Sequence, residues 1–175
     1  ETLTETAGKV IVQTPIGALS LNKEQVVKIE QLAKLTLLDK SHLQSSKTQP
    51  FLSSVKKPLF NKTFNADSLQ AQGLPLQHFI SLHSRTELTL KLPAQSNMFT
   101  ASAFIGPSAT NGDLNLTILQ KGKNLYKARI YSGQSPQEIN IPIKSGLLKI
   151  IVDYGKRGSA GDFLILANPQ ISEVN

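Results

Sequence analysis

From Thr86 to Leu92 the chain reads Thr-Glu-Leu-Thr-Leu-Lys-Leu, polar and apolar by turns. A period of two marks a strand with one face buried. The same alternation returns over residues 98–105, with Phe99, Ala101, Ala103 and Ile105 on one face. It returns at Leu114, Leu116 and Ile118, at Tyr126, Ala128 and Ile130, and at Ile139, Ile141 and Ile143. Residues 147–154 are nearly all apolar, which predicts a central strand covered on both faces. Residues 163–167 and a last run near Ile171 close the series. Between the runs lie "GPSATNGD", "QKGKN", "SGQSP" and "KSG", all carrying turn chemistry. About seven or eight strands with almost no helix signal predict an all-β fold, a jelly-roll β-sandwich.

The N-terminal part has its own short pattern. Val10-Ile11-Val12 is a β-branched run, residues 14–17 (Thr-Pro-Ile-Gly) supply a turn, and Ala18-Leu19-Ser20-Leu21 alternates. After it, Asn22 could cap a short helix with Gln25 closing the box, or residues 26–29 could form a third strand. Residues 1–37 are therefore expected to be a small β-rich appendage, and residues 38–175 the sandwich. Residues 39–77 are rich in Ser, Lys, Gln and Pro, and too long for an ordinary connection. They are expected to wrap over the sandwich and lend it an edge strand. The lone His42 in this segment reads as solvated. No internal repeat is evident.

Composition narrows the function classes. At 175 residues, 39% hydrophobic and 18% charged, the chain has the makings of one medium folded domain plus an appendage. It has no cysteine, which excludes disulfides, thiolate metal sites and thiol nucleophiles. That fits either a reducing cytosol or an envelope protein that avoids thiol oxidation. A net charge of +7 favours polyanionic contacts. The lysines are scattered, however, and no basic helix or aromatic ribonucleoprotein signature accompanies them, so nucleic acid is not the expected partner. No apolar run approaches the roughly 20 residues that span a bilayer, so contact with a membrane is expected to be peripheral at most. The start at Glu1 predicts a mature or excised piece.

Candidate chemistry gathers around "HFISLHSR", where His78 and His83 stand beside Ser81, Ser84 and Arg85. Strand neighbours point to opposite faces, so His83 and Ser84 should diverge, and no G-x-S-x-G elbow is present. His78 and His83 are an odd number of residues apart, which speaks against zinc. Asp153 and Asp162 form the one suggestive carboxylate pair, joined by "YGKRGSAG". The simpler reading is that Asp162 ties down that glycine-rich loop through backbone N–H groups. A structural calcium on Asp153 or Asp162 would want an Asp-rich loop, which is missing, and no cofactor is expected. What remains is a non-catalytic recognition edge of His83, Arg85, Asp153, Lys156, Arg157 and Asp162, with His83 and Arg85 on one strand face.

The order of motifs is similar to that of the NPCBM family, the novel putative carbohydrate-binding module. "GLPL" (residues 73–76), "FISLHSRTELTLKL" (79–92), "FTASAFIG" (99–106), "GDLNLTILQKGKNLY" (112–126) and "LKIIVDYGKRGSAGDF" (148–163) follow in the family's sequence. Residues 12–29 ("VQTPIGALSLNKEQVVKI") resemble a short β module that can precede it. The resemblance implies a jelly roll in an envelope or secreted bacterial protein, located in the periplasm, at the cell surface or outside the cell. It implies glycan recognition, with packing against other envelope chains as the alternative. The chain departs from the family's ending at Phe163, Ile165 and Leu166, where a histidine, an aspartate and a tryptophan are usual. It has no tryptophan at all.

Overall fold

The computed structural model describes residues 2–6, 8–14, 17–22, 24, 34–50, 55–71 and 74–173. The chain divides into two compact units, Glu1–Leu32 and Ala33–Asn175. The first is an antiparallel meander of β1 (Thr2–Thr6), β2 (Lys9–Thr14) and β3 (Gly17–Asn22), in that spatial order. The alternating runs at 10–12 and 18–21 lie in β2 and β3. The helix-or-strand alternative for residues 25–29 falls outside the described residues.

The second unit is a two-sheet antiparallel sandwich. It begins with β4 (Lys34–Leu37), a single 3-10 turn (Lys40–His42), β5 (Leu43–Thr48) and β6 (Leu59–Phe60). The short pair β7 (Gln70–Ala71) and β8 (Leu74–Pro75) leads into β9 (Phe79–His83), β10 (Thr86–Leu92) and β11 (Ser96–Ile105). There follow β12 (Asp113–Gln120), β13 (Lys123–Tyr131), β14 (Gln137–Pro142), β15 (Gly146–Tyr154) and β16 (Phe163–Glu173). One sheet has the order β13-β12-β15-β10-β5, the other β14-β11-β16-β9-β6, and β4 pairs with the far end of β16. The segment 39–77 thus supplies an edge strand to each sheet. Lys34–Leu37, grouped by the sequence pattern with the appendage, belongs to the second unit through its pairing with β16.

The alternating residues meet between the layers. Leu88, Leu90, Leu116, Ile118, Leu148 and Ile150 from one sheet face Ile80, Leu82, Phe99, Ala103, Leu164 and Leu166 from the other, all fully buried. Each such side chain contributes about 1.5–3 kcal/mol by leaving water. A smaller cluster of Leu69, Leu76, Phe79, Ile165 and Ala167 forms separately from this core. Hence β9 and the first half of β16 are the strands buried on both sides. The expectation that residues 147–154 are covered on both faces is corrected. β15 is central in its sheet, but Leu147 is 51% exposed and Asp153 faces solvent. An apolar run records that one face is core; it does not record whether anything lies over the other.

β16 covers both closing runs of the sequence pattern, 163–167 and the one near Ile171, on either side of Asn168 and Pro169. It is one strand with a register shift opposite Thr100–Ser102. Asn168 takes a φ of 45°, and Pro169, which has no N–H to give, offers its carbonyl to the Leu38 N–H at 2.7 Å. Proline is tolerated in a central strand at such an irregularity.

Candidate functional site

Register brings all six sequence-predicted residues to one end of the sandwich. Phe163 pairs with His83, Thr86 with Val152, Leu114 with Tyr154, and Asp113 with Tyr131, so these strand ends lie together. The six do not form one cluster. They fall into three groups.

The first is built on two buried carboxylates. Asp113 is fully buried and receives the Arg129 guanidinium on both oxygens, Nε at 2.7 Å and Nη2 at 2.8 Å. Its Oδ2 also accepts the Lys156 N–H at 2.9 Å, and its carbonyl accepts the Gly155 N–H at 2.6 Å. A Cβ on residue 155 would run into the Asp113 carboxylate, so only glycine lets the loop lie this close. The Arg129 hydrogen bonds outweigh burial and hold the Asp113 carboxyl below the usual carboxylate range. Asp162 is also fully buried. Its Oδ1 accepts the Asp113 N–H at 2.8 Å, while Oδ2 has no hydrogen-bond partner. Burial pushes the Asp162 carboxyl up to about 6; the Asp113 N–H and the nearby Ser84 hydroxyl oppose this, and the Asp113 and Asp153 charges add to it. Asp162 is thus a positioning residue that joins the start of β16 to the start of β12. The N–H it holds belongs to Asp113 and not to the glycine-rich loop. Lys156 and Arg157, exposed on that loop, are held in place through the Asp113 carboxylate.

The second group surrounds His83. Its half-buried ring packs on Phe163 with centroids 5.5 Å apart and meets Phe64 edge-on at 6.3 Å. Phe64 and Phe163 lie 5.5 Å apart, and the Lys56 ammonium sits over both rings at 5.5 and 5.3 Å. Burial chiefly, with Lys56 adding, lowers the His83 pKa. Neither Phe64 nor Lys56 was legible as a site residue, because both come from the aperiodic segment before β9. A phenylalanine inside the polar stretch "NKTFNAD" was the only signal.

The third group is Arg85 with Asp153. Strand β9 ends at His83 in the six-stranded sheet, and β10 starts at Thr86 in the five-stranded one. Arg85 makes that crossing with a φ of 61°. The alternation that would set it on one face with His83 is therefore broken. Its guanidinium contacts the Gln49 side-chain oxygen and the Pro50 carbonyl, and it lines a shallow depression with Asp153.

The serine–histidine neighbours do not make catalytic machinery. The expected divergence of His83 and Ser84 is corrected: Nδ1 of His83 lies 3.5 Å from the Ser84 hydroxyl, at the limit of a hydrogen bond, and closer, at 3.2 Å, to the Ser84 carbonyl, which competes for it. The Asp162 carboxylate influences Ser84 rather than the imidazole, the reverse of a triad in which the acid orients the histidine. His42 holds the 3-10 turn, with Nδ1 3.0 Å from the Asp39 carboxylate. Among the described residues no three acidic or histidine side chains gather as a metal site, and no helix is long and apolar enough to cross a membrane.

Two packed antiparallel sheets, with polar and aromatic side chains collected at one end, define a β-sandwich module of the kind that presents loops to a ligand. The chain belongs to the NPCBM/NEW2 domain family, which matches residues 34–172. Its fold is similar to a CBM51 module from Clostridium perfringens GH95, solved in complex with methyl-galactose. The TM-score is 0.67 at 11% identity, covering 79% of this chain and 99% of that one. It is similar to the second CBM51 module with INT domains of ZmpB from the same organism, solved with GlcNAc. There the TM-score is 0.69 at 12% identity, covering 99% of this chain and 40% of that one. It also resembles the tandem CBM51 modules of the family 98 glycoside hydrolase from Streptococcus pneumoniae SP3-BS71 (TM-score 0.67, 14% identity, 86% of this chain and 52% of that one). The chain thus spans about half or less of the latter two. No curated protein matches it significantly.

Proposed function

We propose that the chain is a non-catalytic carbohydrate-recognition module, one part of a larger secreted, periplasmic or cell-surface bacterial protein. Membership of the NPCBM/NEW2 family is the observation that carries this reading. The sugar is met at the end of the sandwich around Phe64, His83 and Phe163, with Lys156 and Arg157 beside it as polar contacts. Aromatic faces receive the C–H side of a sugar, and polar groups at the rim orient it. Lys56 already lies over the rings, and such a half-buried cation–π contact is worth about 0.5–2 kcal/mol. A stacking sugar must displace it, so affinities for single sugars are expected in the millimolar range.

Titration calorimetry with methyl-galactoside and N-acetylglucosamine, backed by a glycan array, tests the reading. Binding by the parent chain that is weakened several-fold in Phe64→Ala supports it. No binding of any glycan at millimolar concentration would sink it.

A second reading, a structural module that packs against other envelope chains, is favoured by β4. This strand lies off the main path of its sheet and carries Leu35 at 61% exposure. An edge with no partner strand among the described residues, beside an exposed leucine, can dock another strand. Sizing chromatography of the native material, with Leu35→Asp beside the parent, addresses it: a discrete larger complex lost in the variant supports assembly, and a monomer in both removes it.

A further inference from the structure

The outer face of the five-stranded sheet carries a site distinct from the ring cluster. Lys47, Gln49, Arg85, Glu87, Ile151 and Asp153 line a depression there of about 110 Å³. Register builds it: Glu87 pairs with Lys47 on one side and Ile151 on the other, and Arg85 stands at the turn just before them. Its two cations, Lys47 and Arg85, are matched in formal charge by Glu87 and Asp153, but both carboxylates have other partners. Glu87 is engaged by the Lys149 ammonium at 3.2 Å, and Oδ1 of Asp153 accepts the Tyr154 N–H at 2.8 Å. Arg85 leans only on neutral acceptors, and Lys47 has no ion-pair partner among the described residues. Two cations therefore line the depression without an ion-pair contact among the described residues, beside two carboxylates that are engaged elsewhere.

We propose that this depression is a subsite for a carboxylated sugar, a uronic or sialic acid residue of a glycan chain, whose carboxylate is received by Arg85 and Lys47. The inference rests on the carbohydrate-recognition reading above and names an acidic residue of its ligand. A guanidinium offers a planar fork that matches a carboxylate, and here the stem is aimed by a backbone fixed at both ends in strands. Ile151, half-buried in mid-strand, provides an apolar floor for the C–H face of the ring. Glu87 and the second oxygen of Asp153 accept sugar hydroxyls. At about 110 Å³ the depression is well below the ~300 Å³ at which drug-sized pockets begin, so it takes one residue of a chain and not a whole oligosaccharide. The net charge of +7 draws an acidic chain towards the module from a distance.

The test is calorimetry of the full chain with trigalacturonic acid, its methyl ester, sialyllactose and lactose. At least one acid is expected to bind about tenfold more tightly than its neutral counterpart. Arg85→Gln and Lys47→Gln should each remove most of that preference, and raising salt from about 50 to about 500 mM should erode it. Melting curves show whether each variant is folded. Equal affinity for acidic and neutral forms, or an acid preference unchanged in the double Arg85→Gln, Lys47→Gln variant, overturns the subsite. Neutral sugars bound without acid preference overturn the subsite alone; no sugar bound at all overturns the carbohydrate reading beneath it.

Discussion

Asp162 is a carboxylate sealed from water with one oxygen unanswered, and such a group holds its proton. Its folded pKa of about 6 lies above its ordinary value of 3.8. Between those limits the folded chain keeps a proton that the unfolded chain has lost. The stability this confers is complete below about 3.8 and is lost as the pH rises through about 6. A carboxyl moved from 3.8 to about 6 corresponds to about 3 kcal/mol. Asp162→Asn keeps the oxygen that accepts the Asp113 N–H and removes the charge. It is expected to be more stable than the parent at pH 7.5 and to flatten the pH dependence between about 4 and 6, as read by urea denaturation at each pH. Asp113 runs the other way. Held down by Arg129, its contribution is present above its unfolded value near 3.8 and lost as the pH falls through its lower folded value. The sequence made Asp162 visible as a structural tie because it sits at the end of a glycine-rich loop. Its partner lay 49 residues away and was not legible.

At the scale of elements, alternation did most of the work. β10 spans the residues its pattern marks, Thr86–Leu92, because each buried position alternates with a less buried one. The strand ends that shape the site depend on close backbone approach, which no hydropathy pattern reports. Gly112, one residue before β12, is the clearest instance: a Cβ there would run into the Gly161 carbonyl and the Ile105 side chain. Gly112→Ala is expected to cost about 1–3 kcal/mol, since backbone on the far side cannot rotate away. The drop in melting temperature should be accompanied by disturbed amide resonances on the 155–162 loop. A normal melting temperature would show that the two loops part without cost. Arg85 teaches the same lesson. Its place beside His83 in sequence suggested a shared face, yet a positive φ turns the chain from one layer to the other.

At the scale of the molecule, the sandwich is expected to fold without the N-terminal meander. β4 completes one edge of it, and Leu38, 3% exposed, belongs to its core. Thr36 and Lys34 also engage the Glu173 carboxylate, at 2.6 and 3.3 Å. A chain beginning at residue 33 is therefore predicted to keep a cooperative unfolding transition with little loss of stability. One beginning at residue 39 should melt several degrees lower, since it gives up a paired strand and a buried leucine. Equal melting temperatures would remove β4 from the account. The crossing at Ser84–Arg85 has a further consequence at this scale. His83 and Arg85 have α-carbons no more than about 7 Å apart, yet His83 ends a strand of one layer and Arg85 leads into a strand of the other. A glycan chain that rounds this rim would hold its second contact at high effective concentration once the first is made. Affinity should then rise with chain length in a single step, at the first oligomer long enough to turn the corner, and stay nearly level beyond it.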